Sequence, residues 1–193
     1  MIVDQSAPAS RPMRADARRN RDAILEAARD IFATDGVLAS LDRIALRAGV
    51  GNATLYRNFP TRDDLLLAVL EAELDQATAE AHALSRAHSP RGALAEWLVR
   101  LTWRLRIWHD LPHCVAEARA EPGSSMNPAV ATLVRLTGEL LDTAKGANEA
   151  VATIEANDVF ELVTALSWAV DRFGDDEAAA RRRVEIATAG LFV

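Results

Sequence analysis

Residues 40–59 read SLDRIALRAGVGNATLYRNF, and the spacing of their apolar side chains decides the fold of the first third of the chain. Leu41, Ile44, Ala45 and Ala48 recur at i, i+3, i+4 and i+7, one stripe of a helix, and Ser40 stands where a hydroxyl accepts an orphan amide hydrogen bond at its start. Gly49 follows, where a left-handed backbone costs glycine least, and Val50 is an apolar plug for the angle between two helices. In the second helix Leu55 and Phe59 face inward as i, i+4 partners, leaving Thr54, Arg57 and Asn58 on another face. Two short helices, a glycine turn and a polar outer face make a helix-turn-helix, a shape that enters the major groove of DNA.

The flanks complete a three-helix unit. Ile24, Ala28, Ile31 and Phe32 share a stripe that predicts a helix over about 21–34, with Gly36 as its stop. Pro60 ends the second motif helix. Thr61 then caps a long helix to about Ala87, with Asp63 and Asp64 in its first turn. Residues 1–17 lack periodicity and are expected to form a disordered arm, with Arg14, Arg18, Arg19 and Arg21 clustered at its end within reach of DNA.

RDAILEAARDIFATDG (21–36) followed by LDRIALRAGVGNATLYRNFPTRDDLLLAVL (41–70) resembles the amino-terminal domain of the tetracycline-repressor (TetR) family of transcriptional regulators. The likeness runs from about Arg18 to Leu74 and includes Ile44-Ala45, Ala48-Gly49-Val50, Thr54-Leu55-Tyr56 and Phe59. Gly51 departs from it, since the family more often has a serine or threonine there, so Asn52 or the bare Gly51 backbone must cap the second helix. The resemblance implies that Tyr56, Thr61 and Arg62 contact phosphates. With the polar face and the caps, the expected DNA-contacting set is Ser40, Arg43, Asn52, Thr54, Tyr56, Arg57, Asn58, Thr61 and Arg62.

Charge is distributed to match. The first 62 residues hold 10 Arg and 7 acids, a net +3, while the remaining 131 hold 12 Lys plus Arg and 21 acids, a net −9. The formal −6 therefore does not exclude nucleic acid, because phosphate binding responds to the local field. The 193 residues, half of them hydrophobic, suffice for a sizeable core. A single cysteine permits no internal disulfide, and MIVDQSAPASRPMR has no signal-peptide apolar run, so a cytoplasmic protein that does not enter membranes is expected.

The remainder reads as all-α. Ser89-Pro90 and Asn127-Pro128 pair a cap with a first-turn proline, Asp175 is a further cap, and helices are expected near 90–109, 111–120, 128–146, 156–173 and 176–191. The organisation expected is an arm (1–17), a DNA-binding domain (18–62) and a helical effector-binding and dimerisation domain (63–193). Val159, Val163, Leu166, Val170 and Phe173 form one seam, and Val184, Ala187 and Leu191 belong to another. Periodicity alone leaves open whether these seams face the chain's own core or a second copy; the resemblance implies a homodimer formed by the two last helices. WLVRLTWRLRIWHDLPH (97–113) concentrates three of the four tryptophans, and Trp103, Arg104, Trp108 and His109 are candidates for a small-molecule effector site. This half also loosely resembles the SbtR-like branch.

His109, His113, Cys114 and Glu117 invite a metal reading, which Pro112 opposes by starting a new helix between the two histidines. Cys114 has no resolving partner nearby in sequence, as a redox sensor would need. Neither metal nor cofactor is expected. No phosphate loop, nucleophile elbow or paired metal motif suggests an enzyme. The reading is a ligand-responsive repressor acting as a homodimer on a palindromic double-stranded operator, and the rival is a helical protein-interaction module without DNA binding.

Overall fold

The computed structural model describes residues 11–193, with side chains from Asp16 onward. Among the described residues nine helices follow one another: α1 (Arg11–Asp35), α2 (Leu41–Arg47), α3 (Asn52–Asn58), α4 (Arg62–Ala87), α5 (Pro90–Leu105), α6 (Leu111–Ala120), α7 (Asn127–Gly146), α8 (Ala156–Phe173) and α9 (Glu177–Thr188). A 3-10 turn, Ala189–Leu191, closes the chain, and the β-structure among the described residues is one isolated bridge between Ala150 and Phe192. The protein is all-α. Two boundaries differ from expectation. Residues 11–17 belong to α1 rather than to a disordered arm, and alanine-rich composition with an Asp16–Arg19 pair one turn apart favours that helix. Residues 1–10 of the expected arm, and the Arg14 side chain, lie outside the described residues. The helix expected over 90–109 stops at Leu105, because Asp110 adopts a left-handed backbone (φ 65°) just ahead of Pro112.

In the amino-terminal unit Ile24, Ala28, Phe32, Ile44, Leu55 and Phe59 bury against Leu65 of α4. Ser40 Oγ accepts from the Asp42 amide at 3.2 Å, the cap its position predicts. Gly49 takes φ +67° in the turn, as the helix-turn-helix requires. The Gly51 backbone, not Asn52, caps α3: its carbonyl accepts from Thr54 at 2.8 Å, and the Asn52 amide instead donates to Asp42 at 2.8 Å. Thr61 and Asp64 form a reciprocal capping box at the start of α4. Asp64 also accepts from Ser125 at 2.5 Å, and together these bonds hold its carboxyl below its ordinary range and tie the α6–α7 loop to α4.

The larger bundle is centred on α5. Trp97 is fully buried and donates its indole N–H to Thr137 of α7 at 3.0 Å. The seams of the last two helices are corrected here: Val159, Val163, Val170, Val184 and Leu191 all point into the chain's own core and are unavailable to a second copy. Leu166 is half-buried, and Phe173 and Ala187 are exposed. The outer face of α8 carries Leu162, Trp168 and Phe173 at 39%, 48% and 70% exposure, and Ile186 of α9 is 79% exposed. Arg183 of α9 lies 5.0 Å from the centre of the Phe173 ring, joining these outer faces.

Glu96 of α5 ties α9 to the bundle by accepting from both ends of Arg181, at 2.8 and 3.2 Å, while Arg100 approaches at 2.7 Å. The Arg181 hydrogen bonds, aided by Arg100, lower its carboxyl from 4.5 to about 2 against the opposing effect of burial. A depressed folded-state value contributes stability above the ordinary 4.5 that is lost as pH falls toward 2. The thermal midpoint should therefore fall across that window, and Glu96→Gln should flatten this part of the acid profile. A variant whose acid profile matches the parent's would show that α9 is held by other forces.

Candidate nucleic-acid interface and effector half

Helix α3 is anchored by Leu55, 1% exposed, and by Phe59 just past its end, against which Arg21 of α1 rests at 4.5 Å from the ring centre. Arg21 is thereby part of the packing of this domain. With that side fixed, Tyr56 and Arg57 are exposed and Thr54 half-exposed on the opposite face. Arg57 has no carboxylate partner among the described residues; it donates to Thr54 Oγ1 at 3.3 Å, so the two form one polar unit. Asn58 bends back to donate to the Thr54 carbonyl at 2.8 Å. Arg43 pairs with Asp35 and Arg47 with Asp30, both through side chains about 60% exposed, so these surface pairs are weak and exchangeable for phosphate. Ser40 and Thr61 are exposed at helix starts, their hydroxyls already serving as caps.

Arg62, expected among the phosphate contacts, is engaged within the domain. Its Nη1 donates to the carbonyls of Val37 and Ala39 at 2.5 and 2.8 Å, clamping the α1–α2 loop onto α4. Each such charge-assisted bond contributes about 1.5–3 kcal/mol. Arg62→Ala should thus lower the thermal midpoint and leave the salt dependence of DNA binding unchanged; a flattened salt slope in a variant of undiminished stability would return Arg62 to the phosphates.

The tryptophan-rich segment divides into distinct roles. Trp97 is core, and Trp108, 9% exposed, packs on Phe32 of α1 with ring centres 5.7 Å apart. The next residue reinforces this joint: the His109 carbonyl accepts from the Val37 amide at 3.0 Å. Gly36, at φ +81°, leaves room for it, since a Cβ there would stand 3.0 Å from the His109 oxygen. The turn between α5 and α6 therefore touches the DNA-binding unit directly. Asp110 accepts from Arg172 of α8 at 2.7 Å, a pair that helps hold its left-handed backbone. Trp108 and His109 are joint residues; Trp103 and Arg104 line a groove of about 600 Å³ between α4, α5 and α9.

Of the four residues considered for metal, His113 faces Glu117 at 3.4 Å, and burial beside Glu117 pushes the Cys114 thiol up to about 11, an inert setting. His109 gathers instead with Asp110 and Asp171, their ligand atoms within 4.8 Å. Asp171 Oδ2 lies 2.8 Å from His109 Nδ1 but outside hydrogen-bonding geometry. The guanidinium of Arg172, 3.3 Å from His109 Nε2, already supplies the positive charge that cluster calls for.

The sequence profile of the bacterial regulatory proteins of the tetR family matches residues 24–69, and that of the SbtR-like transcriptional regulator C-terminal domain matches residues 89–193. A crystal structure of a TetR transcriptional regulator from Streptomyces coelicolor is 30% identical, with a TM-score of 0.58 over 89% of this chain and 98% of that one. A TetR regulatory protein from Mycobacterium vanbaalenii is 31% identical, with a TM-score of 0.50 over 94% and 100%. An HTH-type transcriptional regulator of Staphylococcus aureus is 44% identical over 64 residues, which is 33% of this chain; the match spans about a third (35%) of that relative's length. A helix-turn-helix with an exposed polar face, joined by a long helix to a larger helical bundle, defines a transcriptional regulator of the helix-turn-helix class. The chain belongs to the TetR family, with a carboxy-terminal half of the SbtR-like type.

Proposed function

We propose that this regulator is a ligand-responsive repressor that binds a palindromic operator as a homodimer, α3 of each copy reading one half-site. The observation that carries the reading is the outward face of α3, where Thr54, Tyr56 and Arg57 stand free of the core while Leu55 is buried behind them. Ser40, Arg43, Asn52 and Thr61 surround that face and approach the phosphates. Two copies meet through the outer faces of α8 and α9, around Leu162, Trp168, Phe173 and Ile186, because an apolar surface of that extent is otherwise left in water. A dimer places two recognition helices on half-sites one or more helical turns apart.

Signal transfer runs through the α5–α6 turn. An effector in the bundle shifts that turn, and Trp108 and the His109 carbonyl move Phe32 and Val37 with it, so the dimer loses the spacing that fits successive major grooves. The protein works in the cytoplasm, where its DNA is; no described helix is long and apolar enough to cross a membrane.

Selection of bound sequences from random DNA, followed by titration of the selected site, tests the reading. Arg57→Ala should weaken that site by about 1–3 kcal/mol per half-site and relax preference at one or two positions, with little change on random DNA. Equal weakening on both would make Arg57 a phosphate contact only.

A further inference from the structure

The arginines that flank the recognition helix do not meet DNA as free cations. Arg43 of α2 is held by Asp35 at the end of α1, and Arg47, one turn further along α2, lies 2.8 Å from Asp30. Glu26, a turn before Asp30 on α1, adds its charge to the field on Arg47. The polar donor that opens α3 is engaged in the same way, since the Asn52 amide donates to Asp42 at 2.8 Å. Each of these donors has a carboxylate of the chain where a phosphate oxygen would stand. Arg57, on the face offered to base edges, holds a hydroxyl and no carboxylate among the described residues.

The charge along the motif agrees. Residues 30–58 hold three arginines, Arg43, Arg47 and Arg57, and three acids, Asp30, Asp35 and Asp42, so the span carries no net charge. The excess of the first 62 residues lies outside it, where seven arginines face four acids. A motif that approaches a polyanion without net charge gains little from long-range attraction, so its phosphate contacts are made by exchanging a carboxylate for a phosphate. Exposed pairs of this kind add little to the stability of the fold. Their consequence lies in what they withhold from DNA.

We propose that Asp30 and Asp35 are intramolecular stand-ins for phosphate that hold down the affinity of this regulator for every DNA sequence alike. The inference rests on the DNA-binding reading above and adds the residues that temper it. A carboxylate that must be displaced weakens specific and random complexes by the same factor, so base readout by Thr54 and Arg57 still sets the preference. The regulatory gain is one of scale. Effector coupling typically changes an affinity by about 5- to 150-fold, which clears an operator only when binding without effector is not far past saturation. Restrained phosphate contacts keep the protein in that range.

The test titrates the full-length protein and its Asp30→Asn and Asp35→Asn variants against the selected operator and a scrambled duplex, in about 0.05 and about 0.3 M salt. At the lower salt each substitution should tighten both duplexes by about two- to fivefold per chain, a factor squared in a dimer, and keep the preference between them. At the higher salt the gain should fade, because the charge removed acts through a field that salt screens. Asp35→Asn made in an Arg43→Gln protein should recover only a small part of the gain, since the arginine it would release is gone. Carboxylates with a structural role alone would do the opposite: their loss would loosen α1 from α2, lower the thermal midpoint and weaken both duplexes. Unchanged or weaker DNA binding by the folded variants, a gain on one duplex only, or a gain undiminished without Arg43 would overturn the proposal. A parent protein without salt-dependent binding to any duplex overturns the DNA-binding reading and this inference with it. A parent that binds while both variants fail to tighten overturns this inference alone.

Discussion

Trp108→Ala is expected to destabilise the protein by about 3–5 kcal/mol, the range for truncating a large buried aromatic side chain. Trp108 is 9% exposed and packs on Phe32 across the boundary between the DNA-binding unit and the bundle, so its removal leaves a cavity at the joint itself. Calorimetry should show a lowered transition, split where the amino-terminal unit melts separately. Trp108→Phe, which keeps an aromatic ring against Phe32, should recover most of the loss. The functional consequence is uncoupling: the alanine variant, assayed at a temperature where it is folded, should bind effector yet transmit little of it to the operator. A normal transition temperature together with normal release of DNA would show that the joint lies elsewhere.

Trp168→Asp is expected to yield monomers and to weaken operator binding by about 10²–10⁴-fold, the advantage that two linked half-site contacts have over one. Trp168 is 48% exposed on the outer face of α8, so aspartate there is solvated in the monomer and the fold should survive, as circular dichroism would confirm. The same substitution at fully buried Val170 would place a charge in the core and report only on unfolding. A Trp168→Asp protein that sediments as a dimer and binds operator like the parent would move the interface off this face.

Much of the fold was legible because each boundary carries a local signal. Ser40, Thr61 and the Ser89-Pro90 pair start helices where their chemistry predicts, and Gly49 turns where it must, whereas Asn127 lies just inside α7, whose cap position is Met126, and donates its side-chain amide to the Glu121 carbonyl. The orientation of α8 was not legible. Val159, Val163 and Val170 follow a spacing that serves a core seam and a dimer seam equally, and only the packing of α8 against α5, α6 and α7 shows which side is inside. The hold of Arg62 on the α1–α2 loop was hidden for a related reason: its partners are the backbone carbonyls of Val37 and Ala39, which leave no trace in side-chain pattern. The joint role of Trp108 depends on Phe32, 76 positions away in sequence, a pairing periodicity cannot supply. Sequence shows charge but not which charges neutralise one another: Arg104, expected to meet an effector, gives its terminal nitrogens to Glu73 and Glu80.

Fluorescence anisotropy of a labelled duplex carrying the selected site, titrated with protein at several salt concentrations, tests the central claim most directly. The account predicts two chains per palindrome, affinity that falls steeply and linearly in log–log form as salt rises, and a preference of at least about 10³ over scrambled DNA. Binding that is indifferent to sequence and to salt would mean that the exposed face of α3 docks a protein partner, and the regulator would have to be assigned a target other than DNA.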